Sequence, residues 1–305
     1  NDFVTFSGAS AVGGLTLNGE FQITYLTGNT YTITASEAAS SSATGGGSVS
    51  AAYQINTGPS VAEALVGWGA GGWSLGTWSV GVTSTDALRL WTQSNFGEDL
   101  IFAARGGSLF FWDATDALTT RGVLLSSETG ASNVPVKVNT LLVSDNRFVF
   151  CFGTNVLGST DLDPLLLRWS DQENALNWTP SSTNQAGDLR LSKGSEIITA
   201  IQGRQEILVW TDSALYALQY VGAPAVWGSQ TVGENLSIAS TNAVAYANGV
   251  AYWMGVGGFY RYDGRVQTLP CTVKRYIFTD FNTEQYEQVF AGTNEAFSEI
   301  WWFYC

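Results

Sequence analysis

Through the second half of the chain and beyond, apolar residues come in short unbroken runs, and the runs come in pairs with a turn between them. The pairs read EDLIFAARGGSLFFWDATD, RFVFCFGTN with DPLLLRWSDQENALNW, EILVWTDSALYALQY, GVAYWMGVGGFYRYDG, and an unfinished EIWWFYC. They begin near Leu100, Phe148, Ile207, Val250 and Ile300, at intervals of 48, 59, 43 and 50 residues. Short apolar runs bounded by turn residues and rich in aromatic and β-branched side chains predict buried strands. A strand-built period of roughly 40–50 residues is the spacing of propeller blades, each a four-stranded antiparallel sheet. The pattern predicts an all-β chain with a β-propeller over residues 58–305.

Residues 1–57 carry a different pattern. FVTFSGA, LTLNGEFQITYLTGNTYTITA and SVSAAYQI alternate apolar and polar positions, with turn signals at Asn18-Gly19-Glu20 and Gly28-Asn29. This predicts a small β-barrel or sandwich module over 1–57, ending at the break Thr57-Gly58-Pro59. The polar stretch ASEAASSSATGGGSVS (35–50) reads as a flexible connection inside it. After the break, SVAEAL (60–65) predicts a short helical turn or loop. Trp68, Trp73 and Trp78 then recur every five residues. That matches neither the strand period of about 2.0 nor the helix period of about 3.6, and predicts irregular loops packed by indoles. The polar stretch 170–195 is expected to cross a blade edge. Both ends read as cut: Asn1-Asp2 leads directly into FVTF, and the chain stops inside WWFYC. The propeller region is expected to be incomplete at its C-terminus.

Charge narrows the partners. There are 26 acidic and 13 basic residues, a net charge of −13. Affinity for nucleic-acid phosphates requires clustered Lys and Arg, and the nearest cluster, Lys274-Arg275, reads as a solvated strand end. An acidic surface past which DNA slides is compatible with this balance. The three cysteines are irregularly spaced, so neither a disulfide framework nor a CxxC metal motif is present. Cys151 and Cys305 read as small hydrophobes on buried strands, and a cytoplasmic folding environment is the default. The uncharged run Ala64–Thr85 is long enough for a bilayer, but its six glycines make it a poor membrane helix. No membrane partner is expected.

The chain contains no histidine, which excludes Ser/His/Asp and Cys/His machinery and His-based zinc sites. The glycine-rich stretches Gly45–Gly47 and Gly69–Gly72 lack a following helix to aim amides at phosphate. Asp161 and Asp163 form D-x-D, a weak calcium pattern that reads better as a polar turn. Glu98-Asp99, Glu284 and Glu287 show no spacing that singles them out, and a glycosidase carboxylate pair is a three-dimensional property that spacing does not reveal. The sequons at Asn177 and Asn235 have no secretory context. More telling is the carboxylate that follows each aromatic strand: Trp112-Asp113, Trp169-Ser170-Asp171, Trp210-Thr211-Asp212 and Tyr262-Asp263. Ser170-Asp171…Trp178 resembles the turn motif of sialidase-type propellers, where Asp closes a hairpin and Trp packs beneath it. These residues read as structural turn pins. No catalytic, cofactor-binding or metal residue is assigned, and no cofactor is expected.

As an ordered set, GWGAGGWSLGTWS (67–79), NFGEDLIFAARGGSLFFWDAT (95–115), RWSDQENALNWTP (168–180) and MGVGGFYRYDGRVQTLPC (254–271) resemble the tail nozzle proteins of short-tailed bacteriophages, the tail tubular or packaged-DNA-stabilising family. The likeness covers nearly all of 60–305. Residues 1–57 resemble the small β-module that phage structural proteins share with the FCCH domain of ubiquitin-activating enzymes, a likeness of fold that implies no ubiquitin chemistry. The resemblance implies a virion component and not an enzyme, located in the tail and assembled in the host cytoplasm. It implies a homo-oligomeric ring, commonly of six copies, below the portal and adaptor. Such a ring continues the DNA channel, retains and then passes the genome, and offers its outside to fibres or tailspikes. The alternative expectation is a tailspike-like propeller enzyme or binding module acting on host-surface glycans.

Overall fold

Phe3–Ser7 (β1), Gly19–Thr27 (β2), Thr30–Ile33 (β3) and Ser50–Gln54 (β4) pair antiparallel in the order β3-β2-β1-β4. The computed structural model describes residues 3–27, 30–54, 63–64, 85–86, 88–118 and 120–305. These strands belong to the first of two compact units, Asn1–Pro59 and Ser60–Cys305. β1 sits centrally, with Val4 opposite Phe21 on one side and paired with β4 on the other. Gly28-Asn29 lies outside the described residues, but Thr27 and Thr30 on either side are paired and their hydroxyls lie 2.6 Å apart. The 35–50 stretch is tied back to the first loop: Ser40 donates to the Gly13 carbonyl through its N–H (2.7 Å) and its Oγ (2.8 Å).

The second unit is a β-propeller. After a two-residue pair, Glu63–Ala64 (β5) with Thr85–Asp86 (β6), four meanders follow. Blade I is Trp91–Phe96 (β7), Asp99–Ala104 (β8), Leu109–Trp112 (β9) and Val123–Leu124 (β10). Blade II is Val138–Val143 (β11), Val149–Asn155 (β12), Leu162–Trp169 (β13) and Gly187–Arg190 (β14). Blade III is Ile197–Gln202 (β15), Ile207–Thr211 (β16), Ala214–Gly222 (β17) and Val226–Glu234 (β18). Blade IV is Val244–Ala247 (β19), Val250–Met254 (β20), Phe259–Tyr262 (β21) and Val266–Leu269 (β22). A fifth pair, Phe290–Asn294 (β23) with Glu299–Phe303 (β24), follows the helix Lys274–Asp280 (α1). The repeated apolar hairpin is thus the second and third strand of each blade, and EIWWFYC holds a second strand.

These strands read as unbroken apolar runs because both of their faces are buried. On β12, Cys151 and Val149 face Ile101, Leu109 and Trp178 toward blade I, while Phe150 and Phe152 face Ile207, Val209 and Trp227 toward blade III. On β16 the neighbours Leu208 and Trp210 turn instead to Trp253 and Met254 of blade IV. Successive side chains alternate between two inter-blade cores. Trp227 meets Phe148 at 5.6 Å and Phe150 at 4.9 Å, both edge-on. Such aromatic pairs add roughly 0.5–1.5 kcal/mol each beyond area burial. β12 also carries a bulge at Gly153, where φ is +58° and a Cβ would lie 2.7 Å from the Asn139 amide nitrogen. Only glycine meets both demands there.

Two sequence expectations change. Lys274 and Arg275 open α1 and do not end a strand. Ile277 and Phe278 of that helix pack on the blade III–IV core, so tertiary burial selects the helix. Cys305 is exposed and donates to Gln288 Oε1 at 2.9 Å. The strand before it buries one face only, through Trp302. Cys151 is buried, as its setting in FVFCF indicates, and burial pushes its thiol pKa up. Trp68, Trp73 and Trp78, and Gly69–Gly72, lie outside the described residues. Among the described residues, no helix is long and apolar enough to cross a membrane.

Candidate functional site

The first strands of blades I to IV converge with β23 on an axial cavity of about 660 Å³. Hydroxyl and amide residues make up half of its wall, among them Thr92, Ser94, Thr140, Thr199, Gln202 and Asn242, and among the described residues no charged side chain lines it. The hydroxyls have a structural use. Ser94 Oγ accepts from the Val143 N–H (3.2 Å), and Thr92 Oγ1 from the Leu141 N–H (3.2 Å). Thr241 Oγ1 donates to the Ile198 carbonyl (3.3 Å), and Ser240 Oγ to the Val289 carbonyl. Partners lie 43 or 49 residues apart, within the range of blade spacings, so each hydroxyl ties the inner segment of one blade to that of its neighbour. Thr92→Val is expected to cost about 1–2 kcal/mol, because it leaves the Leu141 N–H without a partner; denaturant unfolding checks it.

Charged residues gather at the end of the cavity where the first strands begin. Arg105, after β8, reaches Glu287, before β23, in a two-pronged pair at 2.5 and 2.9 Å, and also donates to the Leu88 carbonyl at 2.7 Å. This contact joins blade I to the fifth hairpin across 182 residues of sequence. Glu196, before β15, lies in the same field. Burial raises its pKa first, then the charge of Asp212, with Arg105 opposing. Asp212 moves the other way. Burial would raise its carboxyl, but the Ser195 N–H (2.8 Å) and Oγ (2.6 Å) outweigh burial and hold it below its ordinary value.

A carboxylate with a depressed folded pKa stabilises the fold above the unfolded pKa, and loses that contribution as pH falls through the folded value. Asp212→Asn is therefore expected to lose under ~1 kcal/mol at neutral pH, since the group is exposed to solvent. The difference should close in acid below pH about 3.9. Unfolding at several pH values reads both.

The other carboxylates singled out in sequence do not converge. Asp113 Oδ1 accepts from the Thr115 N–H and hydroxyl, both at 2.7 Å. Asp171 Oδ1 accepts from the N–H groups of Gln172 and Gln185, both at 2.9 Å, closing the base of the 171–185 loop. Asp263 faces Arg261 at 3.5 Å. Asp163 pairs with Arg190 at 2.6 Å, and Asp161 accepts from Ser159. Asp99 accepts from the Ala114 N–H at 3.1 Å. Among the described residues no group of three or more His, Cys, Asp or Glu is arranged to hold a metal. Sequence spacing missed Arg105 with Glu287 and the hydroxyl ties. The ties were legible only as Thr and Ser at blade-period intervals, and the ion pair left no signal.

No family model matches the chain, and no curated protein does. Among the solved structures similar to it are the following three. The extracellular domain of the one-component system BT4673 from B. thetaiotaomicron is 16% identical, with a TM-score of 0.43 over 70% of this chain and 26% of that one. BamB from Moraxella catarrhalis is 16% identical, with a TM-score of 0.35 over 58% of this chain and 48% of that one. Hsv2 from K. marxianus is 11% identical, with a TM-score of 0.30 over 56% and 45%. The chain thus spans between a quarter and a half of the lengths of the structures it matches.

Proposed function

We propose that this chain is a structural subunit of a bacteriophage tail nozzle. It would assemble as a homo-oligomeric ring below the portal and adaptor, retaining and then passing the genome and offering docking surface to fibres or tailspikes. The observation that carries this reading is the ordered set of runs at 67–79, 95–115, 168–180 and 254–271 that resemble that family. Two features support it. The excess of 26 acidic over 13 basic residues suits a surface that DNA passes without sticking. The axial wall is tied strand to strand by hydroxyls, as suits a structural wall. Native mass measurement and electron microscopy of the purified chain are expected to show closed rings, and labelled DNA at low salt should not bind them. In assembled virions, labelled antibody should mark the tail axis. A monomer at all concentrations, or a peripheral spike location, would overturn the proposal.

A further inference from the structure

The fifth hairpin holds only the first two strands of a blade. Blades I to IV each have four, but among the described residues β24 pairs with β23 alone, and its outer edge carries no strand. One face of β24 turns to blade IV, where Trp302 meets Phe259 at 5.1 Å and donates through Nε1 to the Ala243 carbonyl at 3.0 Å. On the other face Trp301 and Phe303 stay 50% and 45% exposed, with Phe303 stacked on Phe290 at 4.6 Å. Blade I is the neighbour on that side: Arg105 and Glu287 join the two, and Trp91 and Phe290 line the same axial cavity. Ile101 and Leu109 of blade I face blade II, so the alternate residues Phe102 and Phe110 face the other way. They form a row with Trp91, the rings 6.4 and 5.5 Å apart, and Leu124 lies opposite Phe110. Trp91 and Leu124 are exposed.

The repeat points to the segment that belongs at this edge. In blades I to IV the third strand begins at Leu109, Leu162, Ala214 and Phe259, and the next first strand begins at Val138, Ile197, Val244 and Phe290. Those intervals are 29, 35, 30 and 31 residues. β5 begins at Glu63 and β7 at Trp91, an interval of 28. β5 and β6 therefore stand ahead of blade I as the third and fourth strands of each blade stand ahead of the next. They pair antiparallel, as those strands require, in a sheet of two with no further strand among the described residues. So small a pair is marginal by itself, and its like charges, Glu63 and Asp86, lie directly opposite each other. β24 offers a free edge and β5–β6 lacks a sheet to join. The fifth hairpin precedes blade I around the axis, as β5–β6 precedes it along the chain.

We propose that β5–β6 joins the free edge of β24 as the third and fourth strands of the fifth blade, which covers the aromatic faces of that blade and blade I. In the other blades the third strand starts opposite the end of the second, so Glu63 falls beside Phe303 and away from Glu299. This pairing holds whether or not the chain assembles into a nozzle. Amide hydrogen exchange followed by NMR on the full chain tests it. The β24 amides that point away from β23 should be protected like those that point toward it. Ala64→Pro, which breaks the ladder at β5, should speed exchange of the outward amides about tenfold, the factor of one hydrogen bond. Amides of blades II and III should be unchanged. In a Cys305→Ser background, Glu63→Cys or Ala64→Cys combined with Phe303→Cys should give an intramolecular disulfide on mild oxidation. Outward β24 amides that exchange like an unpaired chain overturn the proposal. So does protection that survives Ala64→Pro: if it falls on dilution, a second copy holds the edge, and if not, another segment of this chain does. Absence of both disulfides, or disulfides between copies only, overturns it equally.

Discussion

Trp178→Ala is expected to destabilise the propeller by about 3–5 kcal/mol, the range for truncating a fully buried indole. The ring is 1% exposed and packs among Ile101, Leu109, Val149 and Cys151, so it fills the core between blades I and II. Its Nε1 donates to the Ala175 carbonyl at 2.7 Å, and its backbone N–H to the Ser132 carbonyl at 3.0 Å. Alanine would lose the transfer energy, leave a cavity bounded by two sheets that cannot both collapse, and leave the Ala175 carbonyl without the indole donor. Trp178→Phe should retain most of the packing and cost about 1–2 kcal/mol for the lost N–H. Asp171→Ala, at the exposed base of the same loop, should cost less than Trp178→Ala. The denaturant midpoint at unchanged slope ranks the three. A Trp178→Ala midpoint near that of the parent would mean the loop does not hold the blades together.

Arg168→Met is expected to cost about 3 kcal/mol, although methionine matches the arginine stem and carries no charge to desolvate. Arg168 is 2% exposed, and the guanidinium donates to three backbone carbonyls: Asn133 at 2.7 Å, Trp178 at 3.3 Å and Asn155 at 3.4 Å. Among the described residues it has no carboxylate partner within ion-pair distance. Burial lowers its pKa, with Cys151 and Asp188 opposing. The planar fork joins three chain segments at once: the loop before β11, the end of β12 and the loop carrying Trp178. Arg168→Lys should also be destabilising, because a point ammonium on a shorter reach cannot span the three carbonyls. A methionine variant as stable as the parent would show that those carbonyls find other donors. Since Arg168 bonds the Trp178 carbonyl, the two substitutions should combine non-additively, and a double-mutant cycle measures the coupling.

The local reading went furthest where burial is two-sided. β12 and β16 pack against a neighbour on each face, so every residue must be apolar and the run stands out without periodicity. Inner strands such as β7, with Thr92, Gln93 and Ser94, face the axial cavity and carry no apolar run for the pattern to register. Their hydroxyls are spoken for by the next blade, which a one-dimensional pattern does not show. Lys274-Arg275 was misread for the related reason that a seven-residue helix has too few turns to display a stripe. Ser170-Asp171…Trp178 was legible because the turn and its stapling indole lie within one short loop.

The sequence by itself determined the all-β class, the blade period and the turn-pinning carboxylates. All of these are local, since strand burial and turn chemistry act over a few residues. Tertiary structure alone decided which residues meet across blades. It joined Arg105 to Glu287 and set Thr92 and Ser94 on the backbone of β11. Those contacts depend on how blades are arranged about an axis, and the chain records that arrangement only as a repeat length.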